Sequence, residues 1–550
     1  MAHWFFIEKV QNIQKSIEHI PNSFESCQSI MKNRSCKLYM QHVTVQKVNK
    51  LIRGLKSGKC CGIDQIDSYS VKLAADIIDH PLHHTITLSI QQKKFPSSWK
   101  WSKIVPLHKK NSRLEKSNYR PVAILSPFSK ILEKITYEQI YTYFSRNKLL
   151  HPDMHGFRQN RSTCTALLSM YNRWVSAASQ GQVSGVVFLD LSSAFDLVSP
   201  EILIQKLKIY GLDEDYLEWI ESYLTDRFQS VWIDHVYSSY QHCQIGVPQG
   251  SNLGPLFFMT FFNDLAYQLT CGVDNYADDT TLTVASSSVD VIEEKLSESC
   301  SQVSLWMRSN MLKLNACKTH ILVVGTSQKL RTLPTSLKVV MDGLELSAVS
   351  SHECVLGCLV SADLKWNFHF ESLLSKLKTR LNGLYHLKYV ATFSTRKRLA
   401  NGIFNSVLSY CLPLFGGTEI EHLKRLQTLQ NKAASIVCGV PSGANRCYMF
   451  ERLQWMTVNQ LVQYHTLLTI FRIRSSKEPE YLAQSLTNDS RGGRIMLPRF
   501  ALQISQRSFT YRGAVQWNNL PREMRNLDKI GEFKSRLKLW LHANVAKFLD

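Results

Sequence analysis

The sequence predicts an α+β protein in which helices pack against a sheet, and three stretches support this prediction. Residues 186–189 form a short apolar run that is typical of a buried strand. Residues 273–284 have the pattern of two strands joined by a tight turn at Ala277-Asp278-Asp279. Residues 255–269 are apolar and long enough to form a helix that packs on the sheet.

The other elements follow from the same periodicities. Residues 1–50 are expected to be a helical lead-in. Leucines form one stripe along the helix expected over residues 371–390, and the basic residues of that helix mostly face elsewhere. The sequence predicts helices over 129–146, 200–210, 289–309, 371–390 and 533–548, a hairpin over 229–245 and a strand over 320–325.

The charge of the chain is strongly basic. Its 550 residues include 65 Lys and Arg against 44 Asp and Glu, a formal charge of +21. Residues 93–120 contain nine basic side chains and one acidic, residues 376–398 seven and none, and residues 491–540 eleven and three. Such blocks predict a long polyanionic partner, RNA or DNA. Charge alone is also compatible with solubility or with attraction to a membrane surface.

Cysteine usage and hydropathy indicate the compartment. The fourteen cysteines have irregular spacing, which predicts neither a disulfide framework nor a zinc finger. No signal peptide is recognisable, and the most apolar run, residues 253–262, is about half a membrane span. The expected protein is soluble and intracellular, with reduced cysteines and no membrane partner.

Three aspartates are the candidate catalytic residues. Asp190 ends the strand predicted over 186–189, and Asp278 and Asp279 lie at the tip of the predicted hairpin. Crowded carboxylates repel each other, so burying them is costly unless a cation neutralises them. Mg²⁺ prefers such oxygen ligands, and two ions roughly 3.5–4 Å apart stabilise the attacking and leaving oxygens of a phosphoryl transfer. We therefore expect two Mg²⁺ ions, with Mn²⁺ as a substitute. A lone aspartate at the end of a strand is more often a turn cap than a metal ligand, so the assignment depends on the surrounding residues.

Short motifs surround these aspartates along the chain. In order they are Asn118-Tyr119-Arg120-Pro121, His155-Gly156-Phe157-Arg158, Phe188-Leu189-Asp190-Leu191-Ser192-Ser193-Ala194-Phe195-Asp196, Gly246-Val247-Pro248-Gln249-Gly250-Ser251, Leu253-Gly254-Pro255-Leu256, Tyr276-Ala277-Asp278-Asp279, Leu314-Asn315, Lys318-Thr319 and Leu356-Gly357. In this order the motifs resemble those of the reverse transcriptases of non-LTR retrotransposons, especially the jockey-like group, over roughly residues 55–365. A tail that contains Gln506-Arg507-Ser508-Phe509 and Trp517-Asn518-Asn519-Leu520-Pro521 is similar to the C-terminal region of such elements.

The resemblance implies an RNA-directed DNA polymerase in which Asp190, Asp278 and Asp279 hold the metal ions. Phe195 is similar to the steric gate that excludes a ribose 2′-hydroxyl, with core packing as the alternative. Gln249 resembles the residue beneath the sugar of the incoming nucleotide. Gly246 and Gly250 would let the backbone approach the substrate closely.

Basic side chains are also implied at the site. Arg120 and one of Lys109 and Lys110 resemble the clamp on the triphosphate, where arginine binds phosphate bidentately. Lys318 resembles a proton donor to departing pyrophosphate, with a plain surface lysine as the alternative. Tyr276 is expected to pack beside the primer end.

The implied fold is a right-hand polymerase. Fingers and palm would occupy residues 51–365, with an antiparallel palm sheet and its helices; a helical thumb would occupy 366–440 and a basic, mainly helical region 441–550. The implied partners are template RNA, a DNA primer or target DNA, and dNTPs, in the nucleus and cytoplasm. Two positions depart from the family pattern: Asn160 stands where glycine is usual, and Asn252 where a small or apolar residue is usual.

The tail over residues 491–550 is expected to bind template RNA, because basic residues alternate there with Phe509, Tyr511 and Trp517, which could stack on bases. The alternative is a small helical domain with Trp517, Leu537 and Trp540 in its core.

No ribonuclease H pattern is recognisable, and about 50 residues before the fingers are too few for an endonuclease, so polymerase activity alone is expected. Two other functions compete. A nucleic-acid-binding relic of the fold would not need intact aspartates, and an RNA-directed RNA polymerase would not place Phe195 five residues after Asp190.

Overall fold

The structure is a computed structural model and describes residues 5–58, 60–315, 318–333, 337–349, 351–487, 493–497 and 503–543. Its strands are β1 (Trp101–His108), β2 (Tyr119–Ile124), β3 (Val183–Leu189), β4 (Arg227–Ile233), β5 (Val236–Tyr237), β6 (Gln241–Cys243), β7 (Gly272–Tyr276), β8 (Asp279–Ser286), β9 (His320–Val324), β10 (Val340–Met341), β11 (Leu344–Glu345), β12 (Ser347–Val349), β13 (His352–Val355) and β14 (Cys358–Ser361).

Helices make up most of the remaining chain. Those before residue 330 are α1 (Phe5–Lys15), α2 (Glu25–Met31), α3 (Val45–Arg53), α4 (Ser68–Leu73), α5 (Ala75–Gln91), α6 (Pro127–Arg146), α7 (Thr163–Ser179), α8 (Pro200–Ile209), α9 (Glu214–Leu224), α10 (Gly254–Phe262), α11 (Leu265–Gln268), α12 (Val289–Ser309) and α13 (Ser327–Leu330). Later helices are α14 (Asn367–His386), α15 (Phe393–Leu399), α16 (Ser406–Leu408), α17 (Leu412–Phe415), α18 (Ile420–Cys438), α19 (Arg446–Leu453), α20 (Val458–Ser476), α21 (Glu480–Ser485), α22 (Gln503–Gln506), α23 (Phe509–Asn518), α24 (Arg522–Arg525) and α25 (Ile530–Ala543).

The central sheet has the strand order β12-β9-β3-β8-β7. Its middle strand β3 pairs antiparallel with β8 and β9, and β7 and β8 form the predicted hairpin. The expectation of a purely antiparallel sheet is wrong at one edge, where β12 runs parallel to β9 because the intervening chain crosses over through α13 and the β10–β11 pair. Helices α7 and α12 pack on β3, which explains its continuous apolar sequence.

A lateral sheet carries the strand order β2-β1-β4-β5, with β6 also paired to β4. Strands β1 and β2 are antiparallel and are joined by the basic loop 109–118. Helix α1 lies on this sheet through Phe6, which packs against Ile104, Ala123 and Val231. The lead-in predicted over residues 1–50 is therefore partly a helix that covers the lateral sheet.

Two large hydrophobic cores hold the elements together. One lies on the α12 side of the central sheet, and the other joins α7, the β13–β14 hairpin and the C-terminal helices. Residues on both sides of the predicted boundary at 440, such as Phe415, Leu426, Phe471 and Phe533, belong to the second core. The helices after residue 366 therefore pack as one body.

Most predicted elements are present with shifted ends. The helix predicted over 255–269 is interrupted at Asn263 and Asp264, whose buried side chains bond to other segments. The helix predicted over 371–390 ends at His386. The helix predicted over 533–548 begins at Ile530 and is described as far as Ala543, so its last predicted residues lie outside the described part.

The prediction that aromatic residues of the tail stack on bases is wrong for Phe509 and Trp517. Each is 1% exposed and belongs to the second core. Trp517 Nε1 donates a hydrogen bond to Gly493 O at 3.0 Å, and its ring stacks on Phe533. Leu537 is also fully buried. The alternative of a helical domain with these residues in its core is therefore correct.

Neither the cysteines nor the helices give a sign of oxidation or membrane insertion among the residues described. The cysteines that the structure describes are all free. Within the same residues, no helix combines the length and the apolar composition that crossing a bilayer requires.

A buried ion pair links the helices below the central sheet. Lys206 in α8 lies 2.6 Å from Asp264, with side chains 0% and 1% exposed. Lys206 Nζ also donates to Phe261 O at 2.8 Å, and Asp264 accepts hydrogen bonds from Ser26 Oγ at 3.0 Å and Trp306 Nε1 at 2.9 Å. Because each ion has several partners, the pair is tolerated in the core.

We predict that Lys206→Ala lowers the free energy of unfolding by about 3–5 kcal/mol, because it leaves Asp264 buried without a counterion. Lys208→Ala is the control in the same helix: Lys208 pairs with Glu214 at 2.8 Å, but both side chains are more than half exposed. That variant should lose less than about 1 kcal/mol. Urea denaturation measures both, and equal losses would contradict the role of the buried pair.

Candidate active site

The pairing of β3 with β8 brings two of the predicted aspartates together. Leu189 lies opposite Thr280 in this antiparallel pair. Asp190 follows Leu189 and Asp279 precedes Thr280, so the two carboxylates occupy neighbouring positions at one end of the sheet. Asp278 is the preceding residue of the β7–β8 turn, so the three predicted metal ligands share one edge.

The turn that carries Asp278 is tight and fixed by a buried asparagine. Tyr276 pairs with Asp279, which leaves Ala277 and Asp278 as a two-residue turn. Ala277 has φ +60°, a conformation uncommon for residues with a side chain. Asn275 is 4% exposed, and its Nδ2 donates to Ala277 O at 2.9 Å and to a threonine hydroxyl of β8 at 2.8 Å. These bonds hold the turn in shape.

Asp190 has two polar partners from the segment before β9. Lys318 Nζ lies 3.3 Å from Asp190 Oδ2, and Asn315 Nδ2 donates to the same oxygen at 3.1 Å. Asn315 N also donates to Asp190 O at 2.8 Å. The structure therefore places Lys318, which the sequence singled out, directly beside a candidate metal ligand.

Asp279 has a raised pKa that reports the crowding of the carboxylates. Although the side chain is open to solvent on one side, partial burial raises its pKa to about 6, and the neighbouring Asp278 and Asp190 contribute to the rise. The positive charges of Lys109 and Arg120 oppose this shift. The two basic residues therefore reach the aspartates from the lateral sheet.

Lys109 is one of the cations whose charge lowers the pKa of Asp279, whereas the choice between Lys109 and Lys110 as the triphosphate ligand stays a prediction. Burial, together with the positive charges of Arg120, Lys318 and Lys110, lowers the pKa of Lys109, and Asp190 opposes that shift. Lys109 N donates to Asn118 O at 2.8 Å, which closes the loop between β1 and β2. The predicted cationic and anionic residues thus meet at one place.

Phe195 and Gln249 lie near each other, because Gln249 contacts Asp196, the residue that follows Phe195. The half-buried Phe195 ring stacks on Phe258, with a centroid distance of 4.5 Å, and meets Phe157 edge to face at 6.0 Å. Gln249 Nε2 donates to Asp196 Oδ1 at 2.7 Å. Burial raises the pKa of Asp196 to about 6, and the hydrogen bond from Gln249 opposes this shift.

Gly246 and Gly250 lie where another segment of the protein comes too close to leave room for a side chain. Gly246 has φ +89°, and a Cβ there would lie 2.7 Å from Asp196 O. Gly250 has φ +131°, and its Cβ would lie 2.3 Å from Ala123 O of β2. Ala123 N in turn donates to Gln249 O at 2.7 Å. The loop 246–250 therefore joins the lateral sheet to Asp196; its expected approach to substrate stays a prediction.

The carboxylate oxygens of the three aspartates are suitable ligands for a divalent cation. In the part of the chain that the structure describes, however, no group of three Asp, Glu, His or Cys side chains converges on one point. Asp190 Oδ2 is engaged by Lys318 and Asn315 in this arrangement. The raised pKa of Asp279 is the observation that favours a cation here, because positive charge would relieve the repulsion that raises it.

Comparison with known families agrees with this geometry. The family model described as reverse transcriptase (RNA-dependent DNA polymerase) matches residues 107–355, a range that includes the basic loop 109–118, strand β2 with Arg120, and the three aspartates. Residues 107–355 are a reverse transcriptase domain. Enzymes with this domain use divalent metal in general, which agrees with the carboxylate donors.

Relatives of the reverse transcriptase domain come from mobile elements of flies. A probable RNA-directed DNA polymerase from transposon BS of Drosophila melanogaster is 26% identical over 465 residues, 82% of this chain and 50% of the relative. The polymerases from mobile element jockey of Drosophila melanogaster and Drosophila funebris are each 26% identical, over 74% and 72% of this chain and 45% and 44% of the relatives. The reverse transcriptase is thus jockey-like, and the chain spans about half the length of these relatives.

Sequence reasoning missed several residues that shape the reverse transcriptase site. Asn275 orders the turn, and Asn315 holds Asp190, yet neither received a role. The close contact of Gly156 with the turn was also not predicted, although a Cβ there would lie 2.4 Å from Ala277 N. The polar pair Asp274-Asn275 between Val273 and Tyr276 was the available signal for Asn275. Asn160, which stands where glycine is usual, has φ +62°, a conformation that asparagine tolerates.

We predict that Asp279→Asn raises the melting temperature of the metal-free protein above pH 6. The pKa of Asp279 rises from 3.8 to about 6 on folding, so its ionisation costs stability as pH rises through this window, and the cost remains above it. The gain should disappear towards pH 4, where the carboxyl is protonated. Melting curves recorded with a chelator across pH 4–8 test this, and a gain that is independent of pH would contradict it.

Proposed function

We propose that the chain is an RNA-directed DNA polymerase that transfers nucleotides from dNTPs to a primer 3′-hydroxyl on an RNA template. The observation that carries this proposal is the meeting of Asp190 and Asp279 on paired strands, with Asp278 in the adjoining turn. The reverse transcriptase match and the jockey relatives support it.

The parts of a right hand can be assigned on this basis. The central sheet with α7 and α12 is the palm, and the lateral sheet with its basic loop is the fingers. Helices α14 to α18 are the thumb, and the helices after residue 440 pack on them around a shared core. Template RNA and a DNA primer would lie along the basic surfaces that these parts present, one of which is the stretch 376–398, with seven basic residues and no acidic ones.

Asp190, Asp278 and Asp279 would hold Mg²⁺, with Mn²⁺ as a substitute. When bound, two such ions supply an activated 3′-hydroxyl and neutralise charge on the triphosphate. The protein contributes Lys109 and Arg120, whose positive charges reach the carboxylates and are placed to bind the triphosphate.

Lys318 would be the proton donor in this reaction. Its Nζ is 3.3 Å from Asp190 Oδ2, so it would lie near phosphates bound at the same carboxylates. A lysine in that position can donate a proton to departing pyrophosphate.

Phe195 and Gln249 would select the sugar of the incoming nucleotide. The Phe195 ring is stacked on Phe258 on one side and is only half buried. Gln249 is fixed by its hydrogen bond to Asp196, so its position beneath a sugar would be set before nucleotide binding. The stacking also means that Phe195 contributes to the core.

We expect Asp278→Asn to reduce dNTP incorporation by more than about 100-fold, because loss of a metal ligand should exceed the 10- to 100-fold cost of losing an outer partner. The melting temperature and RNA binding should change little. Primer extension on an RNA template with Mg²⁺ measures the first effect. Asp528→Asn, the same change at an exposed loop carboxylate, is the control. Full incorporation by Asp278→Asn would instead favour a nucleic-acid-binding relic.

We further expect Phe195→Val to raise incorporation of rNTPs relative to dNTPs by at least about tenfold, because removing a clash of about 1.4 kcal/mol changes the ratio by that factor. Phe157→Leu is the control, because it alters the edge-to-face contact with Phe195 but leaves the Phe195 ring unchanged. Single-nucleotide extension with each substrate gives the ratio. An unchanged ratio in Phe195→Val would assign the ring to packing alone.

A further inference from the structure

The loop of residues 151–161 lies against the turn that carries Asp278. His155 N donates to Asn275 O at 2.7 Å, and Asn275 N donates to Asp153 O at 3.1 Å. Gly156 comes so close that a Cβ would lie 2.4 Å from Ala277 N. This loop, which we call the bracing loop, therefore contacts the turn through its backbone. It also bonds to Asn275, the residue whose side chain fixes the turn.

Two arginines of the bracing loop fold back on it and hold its carbonyl groups. Arg158 Nη1 donates to His151 O at 2.8 Å. Arg161 Nη1 donates to Met154 O at 3.1 Å and also to Pro152 O. The arginine side chains are 10% and 2% exposed. The loop conformation thus depends on two guanidinium groups that are largely withdrawn from water.

Two adjacent buried cations are costly without an anion. Burial lowers the pKa of Arg161 to about 10, and the nearby charge of Arg158 lowers it further in the same direction. Glu478 and Asp153 oppose that shift. The two arginines of the bracing loop therefore require a nearby carboxylate.

Glu478 supplies that charge from the C-terminal region. Its Oε2 accepts a hydrogen bond from Arg161 Nε at 3.2 Å, and its Oε1 lies 3.6 Å from Arg158 Nη2. Glu478 lies in the short connection between α20 and α21, and α21 packs on α7. One carboxylate from the C-terminal helices thus bridges both arginines of the bracing loop.

A parallel contact joins the same two regions. Arg173 of α7 pairs with Asp153 at 2.7 Å and with Asp274 of β7 at 3.3 Å. Its guanidinium lies over the ring of Tyr481, 5.3 Å from the centroid. With Glu478 in place, three arginines face three carboxylates around the bracing loop; without it, an arginine would be in excess.

We propose that Glu478 is a positioning residue of the polymerase: it neutralises Arg158 and Arg161, which keeps the bracing loop against the Ala277-Asp278 turn and so fixes the metal-binding carboxylates. This inference rests on the proposed function. It gives the C-terminal helices a role in catalysis that requires no contact with nucleic acid, because their effect is transmitted through the loop to the turn.

The test compares Glu478→Gln with Glu478→Asp and with Glu532→Gln in the full chain. Glu532 is the matched control: it also lies in the C-terminal region, pairs with an arginine, Arg536, at 2.8 Å, and has a similarly exposed side chain, 43% against 38%. Glu478→Gln keeps the size of the side chain and removes the charge, whereas Glu478→Asp keeps the charge.

In primer extension, Glu478→Gln should lower kcat by about 10- to 100-fold, the usual effect of losing an outer partner of metal ligands. The Mg²⁺ concentration for half-maximal activity should rise, whereas KM for dNTP should change little. Glu478→Asp should retain most of the activity, and Glu532→Gln should match the unmodified chain. A merely structural role would lower the melting temperature without a selective change in kcat and Mg²⁺ dependence.

Hydrogen exchange of backbone amides gives a readout that does not depend on activity. In Glu478→Gln, exchange should accelerate in residues 151–161 and 272–281 and stay unchanged elsewhere. If Glu478→Gln behaves as Glu532→Gln in both experiments, or if exchange accelerates throughout the chain, the inference is overturned. If the unmodified chain lacks polymerase activity, the proposed function fails, and the exchange experiment alone decides whether Glu478 controls the turn.

Discussion

Repulsion among the carboxylates at one end of the central sheet is the constraint on which the rest of the site depends. Asp190, Asp278 and Asp279 are brought together by strand pairing, and the raised pKa of Asp279 reports the resulting conflict. Positive charge must offset it, and the protein supplies that charge from two directions. Lys318 approaches from the segment before β9, and Lys109 approaches with Arg120 from the lateral sheet. Carboxylates attract cations, and basic side chains attract anions, so the site combines the two kinds of charge at one end of the sheet.

Close backbone contacts turn this set of charges into a defined geometry. The loop 246–250 touches Asp196 on one side and β2 on the other, and glycines at its two ends make both contacts feasible. Its hydrogen bond to Ala123 N ties the lateral sheet, and with it Arg120, to the central sheet. On the opposite side, Gly156 meets the Ala277-Asp278 turn. Cations and carboxylates are thus positioned by the same network of main-chain contacts.

The C-terminal helices form a packed core that includes Phe509 and Trp517. Trp517 and Phe533 lie in a core shared with Phe415 and Leu426, so residues beyond 440 cannot be separated from the preceding helices without opening that core. The basic residues of this region lie around its packed core. Glu478 belongs to the same region, and its carboxylate pairs with Arg158 and Arg161 of the reverse transcriptase domain.

The sequence by itself determined the α+β class, the β7–β8 hairpin, helix α12 over residues 289–309 and the three aspartates, because periodicity, turn composition and short motifs are local patterns. Only the tertiary structure decided that Lys318 lies beside Asp190, that Trp517 is buried, and that Glu478 meets Arg161. These outcomes depend on contacts between residues far apart in the chain, and such contacts leave no spacing or composition by which a single sequence reveals them.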